Sequence, residues 1–428
     1  MAATVSAYDR ATALGPQELE ALLAAGAERT LLEDLFGAAA CGELVPLARA
    51  ARASRRRRPH DRPRAWVLPG ILGTRLGLPR SGGLPADAIW LDPDDLLAGR
   101  AQRLRRTARD RVRPLGVIDQ GYLKLWLRLA AEGFDPEYFA YDWRRGVAEL
   151  GAAFATRLRS DARPAAIVAH SLGGLVARAA LRRAKLPPVT RVLLLGTPNR
   201  GSYAAVQAIR GSYAVVRRIA MLDRHHDGDA LTHDVFSSFE SLHDLLPEGP
   251  IAASIDFHEP ASWPESGPRP DAARLAVSRG LAARLAPADA RHACIAGHGF
   301  PTAVAARRGG GQFIYTYRHD GDGTVPLDSA ALPGVDLYLA PVAHGLLPRD
   351  DRVLDAVIDL LRTGSTGALR AGPPRKSTRA LQVGDHALRA ALDGKLDWGS
   401  LDAARQRAFL ENLSDPGPLR AATPRRRR

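Results

Sequence analysis

Short apolar runs alternate along the chain with stretches in which apolar residues recur at helical spacing. The runs predict buried strands, at residues 65–69, 135–140, 165–169, 190–195, 292–296, 312–317 and 335–340. The amphipathic stretches predict helices, at residues 121–132, 147–160, 172–185 and 350–362. Strands that alternate with helices favour a mostly parallel sheet with helices on both faces. The pattern therefore predicts an α/β domain over residues 65–363, and the 428-residue chain has room for further segments.

Segments within and around this domain depart from the alternation. Residues 201–290 lack the recurring apolar runs that predict strands, and they are rich in Pro, His and Asp. This composition predicts an inserted cap. Leucines at helical spacing predict a small helical preface over residues 1–53, followed by a basic linker at 54–64. Residues 364–428 combine a flexible tether, rich in Gly, Ser, Thr and Pro, with short helices and an Arg-rich tail.

Ser171 stands at the junction between a predicted strand and a predicted helix. A serine at so sharp a turn has strained backbone angles, which lift its Oγ clear of the sheet edge. Its neighbours two residues away must be small, because the chain passes close to itself. Gly173 meets this requirement, whereas Ala169 stands where this pattern usually has glycine. The pattern predicts a nucleophile elbow, and the alternative is that Ser171 is an ordinary helix N-cap.

A serine nucleophile needs a general base, and in sheets of this type the histidine comes last in chain order. His344 lies on the loop between the last predicted strand and the last predicted helix, which is the expected position. His298 and His319 are the nearest alternatives by their position at strand ends. His170, next to the serine, is expected to form a structural hydrogen bond.

The acid that orients the base is expected in the loop that follows the strand predicted at 312–317. Glycines in this loop place it beyond the strand end. Asp320 and Asp322 both flank Gly321, so either carboxylate could fill the role. The other aspartate would then cap the turn.

The developing oxyanion needs fixed N–H donors. The strand predicted at 65–69 leads into the turn Gly70-Ile71-Leu72-Gly73. The backbone N–H of Ile71 can therefore pair with that of Leu172 in an oxyanion hole. Four separate segments thus point to one reaction, attack of a serine on an acyl group.

Further segments accompany these candidates, in this order: Pro69-Gly70-Ile71-Leu72-Gly73, Ile89-Trp90-Leu91, Tyr141-Asp142-Trp143-Arg144, His170-Ser171-Leu172-Gly173-Gly174, Gly196-Thr197-Pro198-Asn199-Arg200-Gly201-Ser202, Leu245-Leu246-Pro247 and Gly321-Asp322-Gly323-Thr324-Val325-Pro326. In these segments and their order, the chain resembles the lecithin:cholesterol acyltransferase family of α/β-hydrolases, which also contains lysosomal phospholipase A2. The resemblance covers about residues 65–363.

The resemblance implies an α/β-hydrolase fold and a role for each candidate residue. It makes Ser171 the nucleophile, Asp322 the triad acid and His344 the base, with amides of Ile71 and Leu172 in the oxyanion hole. It also implies a lid after the oxyanion turn, at about 75–118, and a cap at about 201–290, both shaping an acyl-chain pocket. Animal members clamp the lid with a disulfide, whereas residues 74–119 contain no cysteine here.

Trp143 and Arg144 have two interpretations. They are candidate substrate-binding residues that line the acyl pocket. Alternatively, they pack the junction between the sheet and a helix. The sequence does not separate the two.

The formal net charge of +14 is concentrated outside the predicted domain. Residues 54–64 carry six Arg and one Asp, and the chain ends in Arg425-Arg426-Arg427-Arg428. Such arms are commonly solvated, and the functional alternative is peripheral docking on anionic lipid headgroups. Nucleic acid is not expected as a partner, because no aromatic residues interleave the Arg runs.

No metal or other cofactor is expected. The cluster His225-His226-Asp227-Gly228-Asp229, with His233, has neither a rigid ligand spacing nor cysteine partners, so a solvated loop is favoured over a metal site. Cys41 and Cys294 lie in different segments and predict no disulfide framework.

No targeting segment is recognised. The first residues lack the basic start and continuous apolar core of a secretory signal. No run of about eighteen apolar residues occurs, so no transmembrane helix is predicted. We expect a cytoplasmic protein that can contact membranes peripherally.

Together these features predict a serine esterase or lipase. It would hydrolyse an acyl ester of a lipid, a phospholipid or a glycerolipid, through an acyl-serine intermediate. The alternative is an O-acyltransferase that passes the acyl group to an alcohol or a sterol. A more distant alternative is a non-catalytic adaptor for anionic membranes.

Overall fold

The computed structural model describes residues 9, 13–57, 62–252, 255–372 and 377–414. Its strands, in chain order from β1 to β13, are Arg64–Leu68, Thr74–Leu78, Asp87–Trp90, Arg113–Val117, Asp135–Tyr138, Ala165–His170, Val189–Leu195, His292–Gly297, Thr302–Gly309, Gln312–Arg318, Asp336–Ala340, Arg370–Ala371 and Leu381–Gly384.

The α-helices among the described residues are, from α1 to α17, Pro16–Ala25, Arg29–Phe36, Ala38–Arg57, Pro93–Leu97, Asp119–Ala131, Val147–Asp161, Leu172–Leu181, Tyr203–Ile209, Ala214–Leu222, Gly228–Asp234, Glu240–Asp244, Ala272–Ser278, Leu281–Arg284, Leu327–Ala330, Asp351–Thr363, Asp385–Ala390 and Ala403–Glu411. Short 3₁₀ helices occur at Arg100–Leu104, Phe236–Ser238, Gly249–Ile251, Pro260–Ser262, His344–Arg349 and Trp398–Ser400. None of the described helices is both long enough and apolar enough to cross a bilayer.

The central sheet has seven strands in the order β12-β11-β8-β7-β6-β1-β5. All neighbours are parallel except β12, which pairs antiparallel with β11 at one edge. Side chains of successive residues point to opposite faces. Ile167 packs in the cluster of α6 and α7, whereas Val168 packs in that of α5 and α15. The predicted α/β-hydrolase fold, a mostly parallel sheet between helices, is confirmed.

One predicted strand belongs to a different sheet. Residues 312–318 form β10, which pairs antiparallel with β9 and β13. Along β10 buried side chains alternate with half-buried ones, so only one face of this strand is covered. Such alternation is typical of antiparallel sheets that bury one side.

The segment between the oxyanion turn and α5 forms the third sheet, with the order β3-β2-β4. It spans the region for which a lid at 75–118 is predicted. The predicted cap region, 201–290, consists of helices α8 to α13 and short 3₁₀ helices. No strand occurs in it among the described residues.

The N-terminal helices α1 to α3 pack on α5 through an apolar cluster that includes Leu23, Leu44 and Trp126. Helix α3 continues to Arg57, into the segment predicted as a linker at 54–64. The physical reason is that the Arg55 side chain is half-buried. Its guanidinium pairs with Glu20 and lies 5.1 Å from the centre of the Trp126 ring. Residues 58–61 lie outside the described part of the chain.

The described part of the C-terminal extension also differs from the predicted tether. Strand β12 joins the central sheet, and β13 joins the sheet of β9 and β10. Asp385, which follows β13, is fully buried and pairs with Arg210 of the cap at 3.0 Å. It also accepts hydrogen bonds from the hydroxyls of Ser212 at 2.8 Å and Tyr315 at 2.9 Å. These contacts hold the segment on the cap. The predicted Arg-rich tail lies outside the described residues.

Candidate active site

Ser171 occupies a sharp turn between β6 and α7. Its φ of 53° and ψ of −124° lie where residues other than glycine are rarely found. Such a conformation costs about 1–3 kcal/mol and persists only where the surrounding structure enforces it. Here the N–H of Ser171 donates to the carbonyl oxygen of Leu195 at 2.8 Å, which continues the pairing of β6 with β7.

The two glycines after Ser171 permit this turn to pack closely. A Cβ on Gly173 would come within 2.6 Å of the carbonyl oxygen of Pro69. A Cβ on Gly174 would come within 2.0 Å of the Thr197 Oγ1. Ala169 is fully buried before the serine, so the turn accommodates its methyl group where glycine is usual.

Ser171, His344 and Asp322 lie in one hydrogen-bonded line. Nε2 of His344 is 2.9 Å from the Ser171 Oγ, and Nδ1 is 2.8 Å from the Asp322 Oδ2. The Asp322 Oδ1 accepts from the N–H groups of Thr324 at 3.0 Å and Val325 at 2.7 Å. One carboxylate oxygen is thus fixed by its own loop, and the other faces the histidine.

The two aspartates considered as partners of the histidine, Asp320 and Asp322, have different contacts in the structure. Asp322 faces His344, whereas the Asp320 Oδ1 accepts from the N–H of Ser377 at 2.7 Å. Of the three histidines considered as base, His344 contacts the serine. His298 follows β8, where its N–H donates to the carbonyl oxygen of Ala340, and His319 follows β10, where its carbonyl oxygen accepts from the N–H of Gly299.

His170 joins the turn at Gly70 to His344. Its Nδ1 lies 2.7 Å from the Tyr122 hydroxyl, and its Nε2 lies 3.0 Å from the carbonyl oxygen of His344. A carbonyl only accepts, so Nε2 carries the hydrogen and Nδ1 accepts from Tyr122. The same hydroxyl oxygen accepts from the N–H of Gly70 at 2.8 Å.

Burial, with the nearby His344 ring adding to it, lowers the pKa of His170 well below its ordinary value. His170 therefore stays neutral and keeps its tautomer. The two hydrogen-bond partners of His170 lie 48 and 174 residues away in the sequence. No local sequence pattern therefore reveals this chain of hydrogen bonds.

The predicted oxyanion turn lies directly against Ser171. A Cβ on Gly70 would come within 2.9 Å of the Ser171 Cβ, so only glycine allows this approach. Ile71 follows it and lines the cavity beside the serine. Leu172 is the first residue of α7 and is fully buried. The N–H groups of Ile71 and Leu172 are the candidate oxyanion donors.

Trp143 and Arg144 do not line the cavity beside Ser171, in contrast to their predicted place in the substrate site. Both are fully buried. The Trp143 ring packs edge to face behind Trp90 and Phe239, with centroids 5.6 and 5.4 Å away. Arg144 is held by both carboxylate oxygens of Asp142 at 2.8 Å. The two residues support the wall of the cavity from behind.

A cavity of about 300 Å³ opens beside Ser171 and His344. Its lining is mostly apolar and comes from the oxyanion turn, the predicted lid, the predicted cap and the C-terminal extension. Representative residues are Leu72, Trp90, Val216, Phe239, Leu242 and Leu410. The sequence does not predict the contribution of the C-terminal extension. Its apolar residues that line the cavity, Leu410 and Leu413, are too few to form a recognisable pattern.

A second cavity of about 230 Å³ adjoins the first. The two share Tyr213 and Thr324, whose hydroxyl oxygens are 3.3 Å apart. Gln207, Ser212 and Tyr317 add polar groups to the second cavity. Its described lining residues include no acidic or basic side chain.

The histidine cluster near residue 226 is organised by Asp223. The N–H groups of His225 and His226 donate to the Asp223 Oδ1, and Asp227 caps helix α10. No group of three or more potential metal ligands occurs among the residues that the structure describes.

No protein-family model matches the chain, and a search of curated proteins returns no match. Among solved structures, the chain is similar to the lipase BlEst2 of Bacillus licheniformis in its mature form. That match has 15% sequence identity, covers 70% of this chain and 92% of that one, and has a TM-score of 0.36. A second similar structure is the Tle4–Tli4 complex, with 13% identity, coverage of 71% and 99%, and a TM-score of 0.42. Membership of the lecithin:cholesterol acyltransferase family thus stays a prediction.

Proposed function

We propose that the protein is a serine hydrolase that cleaves an acyl ester of a lipid. The observation that carries this proposal is the line of hydrogen bonds from Ser171 through His344 to Asp322, at 2.9 and 2.8 Å. The apolar cavity beside Ser171 fits an acyl chain better than a charged group, because burying an unpaired charge is costly.

Acylation begins with proton transfer from the Ser171 Oγ to Nε2 of His344. This requires the tautomer with the hydrogen on Nδ1, which Asp322 selects by accepting it. As the serine oxygen bonds to the ester carbonyl carbon, the imidazole becomes an imidazolium next to the Asp322 carboxylate. Neutral His170 beside it adds no second positive charge.

The carbonyl oxygen of the ester becomes an oxyanion in this step. The N–H groups of Ile71 and Leu172 would donate to it. Losing one such donor typically costs about 2.7–4 kcal/mol of transition-state stabilisation. Their positions depend on the contact of Gly70 with Ser171 and on the turn at Ser171 itself.

Collapse of the intermediate breaks the bond to the alcohol, which takes the proton from His344, and leaves an acyl-serine. A water molecule then gives its proton to Nε2 of His344 and attacks the acyl carbonyl. The second collapse releases the fatty acid and returns the proton to the Ser171 Oγ.

An O-acyltransferase is the second candidate, because the adjoining cavity offers hydroxyl and amide groups but no charge. An uncharged alcohol bound there would compete with water for the acyl-serine. The acceptor is expected to depend on how far the cavity excludes water.

Labelling with a fluorophosphonate probe tests the nucleophile. We expect the wild-type protein to be labelled and Ser171→Ala to be unlabelled. Ser278→Ala, which removes a buried serine outside the cavity, is the matched control and should be labelled. An unlabelled wild type would contradict the proposal and favour the non-catalytic adaptor.

The substrate class is tested by mass spectrometry of the products formed from mixed phospholipids and glycerolipids with a free sterol or long-chain alcohol. Free fatty acid as the product supports hydrolysis. A new ester of the added alcohol supports transfer. Absence of both, with p-nitrophenyl esters also intact, contradicts esterase chemistry.

The Arg-rich tail and a cytoplasmic location with peripheral membrane contact stay proposals. Deleting residues 421–428 should weaken binding to anionic vesicles at low salt, because each basic residue near such a surface contributes about 1 kcal/mol. Unchanged binding contradicts this role for the tail.

A further inference from the structure

The C-terminal extension contributes one helix face to the catalytic cavity. Arg407, Leu410, Glu411 and Ser414 line the cavity, at positions i, i+3, i+4 and i+7. This is the spacing of side chains on one face of an α-helix. Leu413 also lines it and is only 7% exposed. Helix α17 and the residues after it therefore form a wall of the space next to Ser171.

The segment that leads to this wall is anchored on the cap. The Lys395 Nζ donates to the carbonyl oxygen of Ala220 at 2.9 Å, at the carboxyl end of α9. Asp393 pairs with Arg217 of the same helix at 2.8 Å. Carbonyls at a helix end attract cations, so Lys395 is well placed to hold the extension.

The wall itself is fixed by polar contacts at its rim. Glu411 pairs with Arg349 at 3.5 Å, and Arg349 ends the 3₁₀ helix that begins at His344. Arg407 Nη1 donates to the carbonyl oxygen of Asp34 at 3.3 Å, which ties α17 to the N-terminal helices.

Phe409, the aromatic residue of α17, does not line the cavity. Phe409 contacts Trp398 edge to face, with centroids 6.0 Å apart, and the Arg218 guanidinium lies 5.7 Å from the Phe409 ring centre. The apolar residues of this segment that line the cavity are Leu410 and Leu413.

We infer that residues 403–414 form part of the acyl-binding wall, and that Leu410 and Leu413 help to set the length of acyl chain accepted. The inference rests on the proposed function, since chain-length preference has a meaning only for an acyl ester. Each additional methylene that finds apolar surface changes kcat/KM by about fourfold. Enlarging or filling this wall should therefore shift the preferred length in opposite directions.

The test measures kcat/KM for p-nitrophenyl esters of increasing acyl length. Leu410→Ala and Leu413→Ala should move the optimum to longer chains and raise the ratio of long-chain to short-chain kcat/KM by about tenfold. Leu410→Trp should move the optimum to shorter chains. The matched control is Leu401→Ala, a half-buried leucine of the same extension that does not line the cavity.

The ratio separates a specificity role from a structural one. A variant that only loosens the extension lowers kcat/KM by the same factor at every acyl length. If the ratio of long-chain to short-chain kcat/KM equals that of the wild type in all three cavity variants, the inference is overturned. A shift in Leu401→Ala as large as in Leu410→Ala would also overturn it. A wild-type protein that cleaves no ester contradicts the proposed function, and the inference with it.

Discussion

The Tyr122 hydroxyl lies 2.7 Å from Nδ1 of His170. The same hydroxyl accepts the N–H of Gly70, and His170 donates to the carbonyl of His344. One chain of hydrogen bonds thus connects the turn at Gly70, His170 and His344, the proposed base. Tyr122 acts through these groups, so we regard it as a positioning residue.

Tyr122→Phe should lower kcat by about tenfold and raise KM by a smaller factor. The reason is that a small displacement of positioned groups affects the chemical step. It should also cost about 1–3 kcal/mol of stability, since Gly70 and His170 each lose a buried partner. Tyr203→Phe is the control, because it removes a buried hydroxyl that donates to Ile251 in the cap. It should lower stability alone. A kcat in Tyr122→Phe equal to that of the control would contradict the positioning role.

Asp322→Asn should lower kcat by about 10⁴-fold, because an amide favours the wrong tautomer of His344. The neighbouring Asp320→Asn should keep the kcat of the wild type, since Asp320 contacts the N–H of Ser377 and not the base. Steady-state kinetics on one p-nitrophenyl ester compares the two. Equal losses in both variants would refute the assignment of Asp322.

Arg144→Met should destabilise the protein by about 3–5 kcal/mol, because the buried carboxylates of Asp142 and Asp110 each lose their closest guanidinium partner, at 2.8 Å. The adjacent Arg145→Met removes a partly exposed guanidinium that pairs with Glu149 and makes one longer contact with Asp142, at 3.2 Å, and it should cost about 0–1 kcal/mol. Urea unfolding measures both. The acyl-length preference of Arg144→Met should equal that of the wild type, and a changed preference would restore its predicted contact with substrate.

His243 in the cap predicts a specific pH dependence of stability. Its Nδ1 donates to the Phe239 carbonyl at 2.9 Å, and burial lowers its pKa to about 4. The unfolded chain takes up this proton below about pH 6.5, whereas the folded protein does so only near its lowered pKa. The stability that depends on neutral His243 is therefore complete above pH 6.5 and falls as the pH decreases toward 4.

The variant His243→Asn lacks this titration but keeps a donor for the Phe239 carbonyl. The unfolding free energy of the wild type should fall relative to that of the variant by about 1.4 kcal/mol per pH unit below pH 6.5. Carboxyls with raised pKa, such as Asp244, titrate in both proteins and cancel in the difference. A constant difference from about pH 7 to about pH 5 would contradict the prediction.

The sequence locates the central strands and the elements around Ser171 and His344 because their signals are local. A buried parallel strand is a continuous apolar run, and a loop after it is marked by glycine. The choice between Asp320 and Asp322 needs the three-dimensional structure, because it depends on which carboxylate faces His344. That histidine lies 22 residues after Asp322 in the sequence. From the residues alone both aspartates are equivalent, and only the family resemblance separates them.

Trp143 and Arg144 show a second limit of sequence reasoning. A tryptophan that lines a cavity and one that packs directly behind its wall have the same local pattern. The difference lies in Trp90 and Phe239, which come from distant segments and cover the ring. Likewise, Leu381–Gly384 has little strand character of its own. It becomes β13 because β10 offers a free edge and because buried Asp385 follows it.

The antiparallel pairing of β13 with β10 has a consequence for synthesis on the ribosome. The polypeptide that emerges first already contains Ser171, Asp322 and His344, the proposed catalytic residues. At that stage the edge of β10 is uncovered, Arg210 has no carboxylate, and the space beside Ser171 lacks the side chains of Leu410 and Leu413. A nascent chain would thus have its reactive groups before it has a closed compartment for them, and full selectivity would arise only after residue 414 has left the exit tunnel.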